Sequence, residues 1–283
     1  METGLRDKVV LITGASGGIG HALARVFADE GAMLVLQGRS QFEALQDFVA
    51  EQGWQDRALC LQFDVTDRAA TFEAVRTAAE RFGRIDVCVA NAGVWPEPDV
   101  PLHAMTEERV RGTIDTNLLG AVWTTQAFLD QLAERGPRDD GDGASLVFIG
   151  STAGRFGERD HADYSMTKAG MAGLVRTLKN EIVRIDPYGR VNMVEPGWTV
   201  TPMARTALAD DEGLKRVLQT LPMPQLGRAI DIARTVAVLC SPKLSRHTSG
   251  EILTVSGGME GRVQWERDAI DTDAVRRRIR DES

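Results

Sequence analysis

Three side chains in the middle of this chain have the types and the spacing for proton transfer at an oxygen. Tyr164 and Lys168 stand four residues apart, and Ser151 lies thirteen residues before the tyrosine. On a helix, positions i and i+4 share a face, so the ammonium can stand beside the phenol. A free phenol ionises near pH 10, too high for efficient base catalysis at neutral pH. Nearby positive charge stabilises the tyrosinate and lowers that value, while Ser151 can orient a substrate oxygen. Near the amino terminus runs Thr13-Gly14-Ala15-Ser16-Gly17-Gly18-Ile19-Gly20. It follows a strand-like run and opens a helix-like one, the context that a dinucleotide-binding turn requires. Gly14 permits a tight turn, Gly18 and Gly20 clear space for a pyrophosphate, and free N–H groups at the helix start favour phosphates. Alone, the first motif fits an ordinary amphipathic helix and the second a plain strand-to-helix turn. Together they point to nicotinamide-dependent carbonyl/alcohol chemistry.

The elements that must position these residues alternate. Short apolar runs over 9–13, 33–37, 58–63, 86–90, 145–150, 190–195 and 252–255 read as strands. Helical periodicity covers 20–30, 42–52, 69–82, 106–134 and 164–184, the fourth bent or interrupted near Gly112 or Gly120. Continuous apolar strands separated by helices predict an α/β fold: a Rossmann-like, doubly wound parallel sheet of about seven strands with helices on both faces. Ligands of such sheets sit at the carboxyl ends of the strands. Residues 136–143 read as a mobile polar surface loop. Residues 198–227, with Pro202, Pro222, Pro224 and a short helical stretch over 211–220, are a candidate lid. One catalytic domain over 1–262 and a charged tail over 263–283 are expected, with no internal repeat.

At 283 residues the chain can bury a substantial core without disulfides or metals. A composition of 43% hydrophobic and 26% charged residues is that of a globular protein, and a formal net charge of -8 argues against nucleic acid as a partner. No apolar run approaches the roughly 18 residues of a membrane span. Met1 to Lys8 runs straight into a strand with no signal-peptide pattern. The three cysteines, Cys60, Cys88 and Cys240, are widely spaced, and two lie in apolar runs. They read as small core residues of a cytoplasmic protein. His21, His103, His161 and His247 show no metal-ligand spacing, so no metal is expected. His161, three residues before the tyrosine, reads as a loop residue that could touch substrate, and His21 as helix surface rather than a cofactor contact.

The spacing Thr13-Gly-x-x-x-Gly-Ile-Gly20 resembles the short-chain dehydrogenase/reductase family in its single-domain branch. The resemblance continues in collinear order over about residues 5 to 260: Asp64-Val65, Asn91-Ala92-Gly93, Asn117, Ser151, Tyr164-Ser-Met-Thr-Lys168, then Pro196-Gly197 with Thr201. It implies that Tyr164 is the acid or base, that Lys168 lowers its pKa and holds the nicotinamide ribose, and that Asn117 holds a water in a proton relay. It further implies cofactor contacts at Gly14, Ser16, Gly18, Ile19, Gly20, Asp64, Val65, Asn91, Ala92, Gly93, Tyr164, Lys168, Pro196, Gly197, Thr199 and Thr201. Thr199 replaces the usual branched aliphatic, and Trp198 a smaller residue.

NAD users of the family place an Asp at the end of the second strand, whereas here Gly38 is followed by Arg39 and Ser40. A guanidinium binds a phosphate through charge-assisted bonds, so NADP(H) is the expected cofactor and NAD(H) an accepted one. Arg39 stacking on adenine is the other reading, and Gly17 stands where NADP users often carry a basic residue. Trp95, Arg155, Phe156, Trp198 and Met203 are candidate substrate-pocket residues, with Arg155 meeting an acidic substrate group or solvent. The resemblance also implies a homodimer or homotetramer, paired through helices carrying Leu118, Val122, Phe128, Met166, Met171 and Leu174. The alternatives are a cofactor-sensing protein without chemistry, an NAD-preferring sugar or polyol dehydrogenase, and a lyase or epimerase.

Overall fold

Both faces of the first strand are apolar, and that decides the architecture. Along β1 (Val9–Ile12), Val10 and Ile12 join one buried cluster while Val9 and Leu11 join another. A strand with two such faces has to be covered on both sides. The computed structural model, which describes residues 2–201 and 210–280, has that arrangement. β1, β2 (Met33–Gly38), β3 (Ala58–Gln62), β4 (Val87–Ala90), β5 (Ser145–Ile149), β6 (Arg190–Pro196) and β9 (Ile252–Val255) form one parallel sheet in the order β3-β2-β1-β4-β5-β6-β9. A separate two-stranded ladder pairs β7 (Thr199–Val200) with β8 (Gly227–Arg228). The strand order reverses between β1 and β4, and the crevice at such a switch point is where a doubly wound sheet binds its ligand.

One face is covered by α1 (Gly18–Asp29), α2 (Phe42–Glu51) and the helix Ala229–Cys240, through Leu23, Phe27, Leu45, Ile232 and Val236. The other is covered by α3 (Arg68–Phe82), α5 (Gly120–Arg135) and α7 (Ala162–Glu181), through Val75, Phe128, Met171 and Val175. The sequence reading omitted the helix Ala229–Cys240, although its buried Ile232, Ala233, Val236, Ala237 and Cys240 recur with helical period. The long helix expected over 106–134 is α4 (Glu107–Thr113) and α5 joined by a π-helical segment, Ile114–Leu119. The break falls between the two glycines. Gly120 packs so closely on Val65 that a side-chain carbon there would lie 2.7 Å from Val65 Cγ2. No helix among the described residues is long and apolar enough to cross a membrane. Cys88 and Cys240 are buried, Cys60 is half-buried, and all three are free.

Charge is concentrated at the amino end of the sheet. The buried Asp86 carboxylate accepts from the Val9 N–H at 2.9 Å and from Arg138, and lies 3.2 Å from Arg84 Nε. Arg84 pairs in turn with the buried Asp186 at 2.7 Å. Lys8 binds Asp140 at 2.7 Å and Asp142 at 3.1 Å. The loop over 136–143, expected to be mobile, is therefore pinned, because the buried charges of Asp86 and Lys8 need partners. The charged tail, for which a short helix or a frayed end is expected, includes a helix. The helix Thr272–Arg280 packs Val275 against Leu214 and Leu218 of the helix Asp211–Leu218.

Asp86→Ala leaves Arg84 buried with one partner fewer, and should lower the unfolding free energy by about 3–5 kcal/mol. Arg138→Ala, at the more exposed rim, should cost about 1 kcal/mol. Urea denaturation of the two variants checks the ranking, and the distance of Asp86 from the strand carboxyl ends predicts unchanged cofactor affinity in both.

Candidate functional site

The turn after β1 is built by its side chains as much as by its glycines. Gly14 has a φ of +63°, and a side-chain carbon there would lie 2.8 Å from Ala92 Cα. Gly20 approaches still closer, for a Cβ would sit 2.3 Å from the Gly14 carbonyl oxygen. Thr13 Oγ1 accepts from the N–H groups of Asn91 and Ala92, both at 3.1 Å, and Asn91 Nδ2 donates to the carbonyls of Thr13 and Gly14. Asn91 and Ala92 thus clamp the turn to the end of β4. Gln37, which the sequence reading missed, accepts from the Gly14 N–H at 2.7 Å and donates to the Phe63 carbonyl at 2.6 Å. A glutamine inside an apolar strand was its legible signal. Gly18 opens α1, Ile19 packs against the core, and no side chain caps the helix start. Its first N–H groups are left for an anion such as a pyrophosphate. His21, expected on the helix surface, is half-buried and stacks on Phe48 at 4.2 Å, because α2 crosses over it.

At the ends of β2 and β3, a Cβ at Gly38 would lie 3.2 Å from Leu45 and 3.7 Å from Ser16 Oγ. Arg39 and Ser40 are exposed, and Arg39 Nη1 binds Asp64 Oδ2 at 3.1 Å. Burial pushes the Asp64 carboxyl up, but hydrogen bonds from Thr66 and Arg39 outweigh it and hold the group below the usual carboxylate range. Val65 is buried against Gly120, leaving its backbone for any ligand contact.

The proton-transfer residues converge at the carboxyl ends of β4 and β5. Lys168 is 4% exposed and its Nζ donates to the Ile149 carbonyl at 2.9 Å. A Cβ on Gly93 would lie 3.2 Å from Asn117 Oδ1 and 3.3 Å from Lys168 Nζ, so Gly93 keeps the gap between them open. Asn117, fully buried in the π segment, accepts from the Val94 N–H at 2.7 Å and donates to the Val94 carbonyl at 3.0 Å. Ser151 caps the short helix α6 (Thr152–Phe156) by accepting from Ala153 N–H at 3.1 Å.

Lys168 Nζ lies 5.7 Å from the centroid of the Tyr164 ring. Burial pushes Tyr164 up, and only a hydrogen bond with Ser151 draws it back. Burial also pushes Lys168 down, to about 8. Desolvation of each charged form decides both directions.

The remaining expected residues surround this centre. Pro196 is buried, and a Cβ on Gly197 would lie 2.7 Å from Ser256 Cβ. Thr199 Oγ1 donates to the Gly197 carbonyl at 2.9 Å, and Thr201 is half-buried beyond β7. Trp95 meets Tyr164 edge-on at 4.8 Å between centroids. His161, in the loop before α7, is buried and stacks on the same indole. Arg155 is not free for an acidic substrate group. It pairs at 2.7 Å with Glu195, whose buried carboxylate needs a counter-charge. Phe156 is 40% exposed, and Trp198 joins the cluster of Leu214 and Val275. Met203 lies outside the described residues. Of the apolar residues expected at a subunit contact, Phe128 and Met171 are core, which leaves Leu118, Val122, Met166 and Leu174 toward the surface.

Lys168 carries a stability prediction. With its folded pKa near 8 against an ordinary 10.5, the folded state binds fewer protons than the unfolded one between those values. Stability therefore rises with pH across that window, and the burial penalty is complete below it. The unfolding free energy of the wild type, measured against Lys168→Met, should rise by up to about 3 kcal/mol between about pH 7 and about pH 10. Urea titrations of both proteins at the two pH values check it.

Comparison with known proteins supports the same class of site. The family profile for short chain dehydrogenases matches residues 8–212. L-rhamnose 1-dehydrogenase (NAD(P)(+)) of Azotobacter vinelandii is 33% identical, over 90% of this chain and 97% of that protein. The 3-oxoacyl-[acyl-carrier-protein] reductase of Thermotoga maritima is 32% identical, over 90% and 98%. Among solved structures, a glucose/ribitol dehydrogenase of Brucella melitensis superposes with a TM-score of 0.82 at 32% identity, covering 93% of this chain and 100% of that one. A 3-ketoacyl-(acyl-carrier-protein) reductase from the same organism, complexed with NADH, gives 0.80 at 28%, covering 90% and 98%. With this fold, this turn and these relatives, the chain belongs to the short-chain dehydrogenase/reductase family, whose members are NAD(P)-dependent oxidoreductases acting on CH–OH and C=O groups.

Proposed function

We propose that this protein is an NADP(H)-preferring reductase or dehydrogenase of a carbonyl/secondary-alcohol pair, with Tyr164 as acid or base. The observation that carries the reading is the convergence of Gly93, Asn117 and the buried Lys168 ammonium within about 3.5 Å of one point, beside Tyr164 and the end of the glycine turn. When bound, the nicotinamide supplies or accepts the hydride at carbon. Tyr164 gives the proton to the substrate oxygen in reduction and removes it in oxidation, while Ser151 holds that oxygen. Lys168 would orient the ribose, and its charge together with that of the oxidised nicotinamide would favour the tyrosinate. Asn117 fixes the loop after β4 and lines the proton path from Lys168. The uncapped start of α1, with Gly14, Ser16, Gly18 and Ile19, would hold the pyrophosphate; Asp64, Val65 and Asn91 would contact the adenine side, and Pro196, Gly197, Thr199 and Thr201 the nicotinamide side.

The preference for NADP(H) rests on Gly38, which leaves room beside Ser16, and on Arg39, the cation next to it. Asp64 already shares the Arg39 charge, so NAD(H) is accepted more weakly rather than excluded. The substrate is a small-molecule carbonyl or alcohol. One catalytic domain over 1–262, a cytoplasmic setting, and pairing into a homodimer or homotetramer through Leu118, Val122, Met166 and Leu174 complete the reading.

Tyr164→Phe should lower kcat by about 10²–10⁴-fold or more with a far smaller change in the NADPH dissociation constant, measured by stopped-flow turnover and nicotinamide fluorescence. Near-wild-type turnover would overturn the mechanism. Arg39→Ala should raise KM for NADPH relative to NADH by about 10- to 100-fold, the loss of one charge-assisted contact. An unchanged ratio in steady-state kinetics would remove Arg39 as the phosphate reader without touching the acid–base chemistry.

A further inference from the structure

The loop that leads into α7 carries side chains the reaction above leaves unused. His161, immediately before the helix, is 1% exposed. Its ring stacks on Trp95, with centroids 3.8 Å apart and planes 24° apart. Nε2 stands 3.1 Å from the Pro96 carbonyl oxygen and 3.6 Å from an Asp99 carboxylate oxygen, and Nδ1 stands 3.3 Å from the Arg159 carbonyl oxygen. A buried polar ring without partners is costly, so these contacts fix it between two loops, 94–100 after β4 and 157–161 before α7.

The same loops are joined again nearby. The Val100 N–H donates to the Asp160 carbonyl at 3.1 Å. Arg109 of α4 donates to the Pro98 and Asp160 carbonyls, and its Nε pairs at 3.0 Å with Asp163, the fully buried residue before Tyr164. Trp95 is held at the centre of this clasp. One indole face lies on His161, and the ring meets Tyr164 edge-on at 67°. The indole cannot turn away from Tyr164 without giving up its stack.

We propose that His161 is a positioning residue that holds Trp95 as the side wall of the substrate pocket against Tyr164. The pair then sets which substituent a carbonyl carbon can carry on the tyrosine side. This inference rests on the reading of Tyr164 as the acid of the reaction. Removing His161 frees the indole, lets water reach the phenol and admits larger ketones; removing Trp95 does the same directly.

The test uses Tyr188→Phe as background, which leaves Tyr164 the one tyrosine of a chain that has two. Trp95→Ala, His161→Ala and the double variant are titrated for tyrosinate by ultraviolet difference absorbance without substrate. They are then assayed with acetophenone and the bulkier 2-acetonaphthone. Burial holds Tyr164 above its ordinary value, so both single variants should move its midpoint down. The double variant should move it no further than Trp95→Ala. Relative kcat/KM should shift toward the bulkier ketone by about tenfold or more in both single variants, with the NADPH dissociation constant unchanged. His161→Phe keeps a ring against Trp95 without the nitrogen contacts; it should be intermediate, and it stands in for His161→Ala if that variant does not fold. The proposal is overturned if Trp95→Ala moves the midpoint and the His161 variants do not, or if Trp95→Ala does not move it. The titration decides even if neither ketone is turned over. Tyr164→Phe run in parallel separates the two ideas: turnover by that variant sinks the acid assignment, while the substrate-free titration still judges the wall.

Discussion

A buried ammonium is the constraint around which this molecule is arranged. Lys168 lies almost wholly out of water, with the Ile149 carbonyl as its hydrogen-bond partner among the described contacts. Burying a cation is expensive, and its lowered pKa is the measure of that cost. Close packing around it follows. Gly154 lets α6 lie directly on α7, since a Cβ there would be 2.9 Å from Lys168 Cβ. Gly93 leaves the ammonium facing open space rather than a side chain. The π segment turns Asn117 inward to hold the Val94 backbone at the rim of that space. Such segments interrupt helices mostly at functional sites, and here the interruption serves the loop that borders the lysine.

The two ends of the sheet divide the labour. At the amino end, Asp86, Arg84, Asp186 and Arg138 satisfy one another and fasten the loops that return the chain to each strand. Charges there are paired and largely buried, an arrangement suited to holding a structure. At the carboxyl end, polar groups are held by backbone: Asn91 by Thr13 and Gly14, Lys168 by Ile149, His161 by Pro96 and Arg159. Main-chain partners fix orientation without neutralising charge, so Lys168 keeps a charge to act with. Ion pairs at this end involve other residues: Arg155 with Glu195, Arg39 with Asp64 and Arg109 with Asp163.

What was legible in the sequence was what local pattern encodes. Seven apolar strands and the glycine spacing led to the parallel sheet, and the tyrosine–lysine interval led to one face of α7. What failed depended on partners far away in the chain. The loop over 136–143 reads as mobile by composition, and only Asp86 and Lys8, more than 50 residues away, explain why it is pinned. The spacing of Tyr164 and Lys168 brings the residues together, but it does not reveal how far burial acts on each in the protein alone. The position of His161 three residues before Tyr164 marked it only as near the site, because its contact with Trp95 depends on a loop after a different strand.

The carboxyl-terminal residues show the same dependence on distant partners at the scale of an element. The helix Asp211–Leu218 is eight residues long, too short to persist on intrinsic propensity. It presents Leu214 and Leu218, and the chain beyond it adds Leu221 and Leu226; none of these reaches either core of the main sheet. Ile270 and Val275 supply the missing apolar surface, Trp265 Nε1 donates to the Leu221 carbonyl at 2.7 Å, and Arg267 reaches Glu212 at 3.0 Å. Trp198, which follows the Pro196-Gly197 turn, packs into the same cluster. The segment over 211–226 therefore has a core apart from those of the sheet, with Ile270 and Val275 supplying two of its six buried residues. A charged composition hid this, because the few apolar residues that matter there are spaced for a helix whose partner lies some sixty residues earlier.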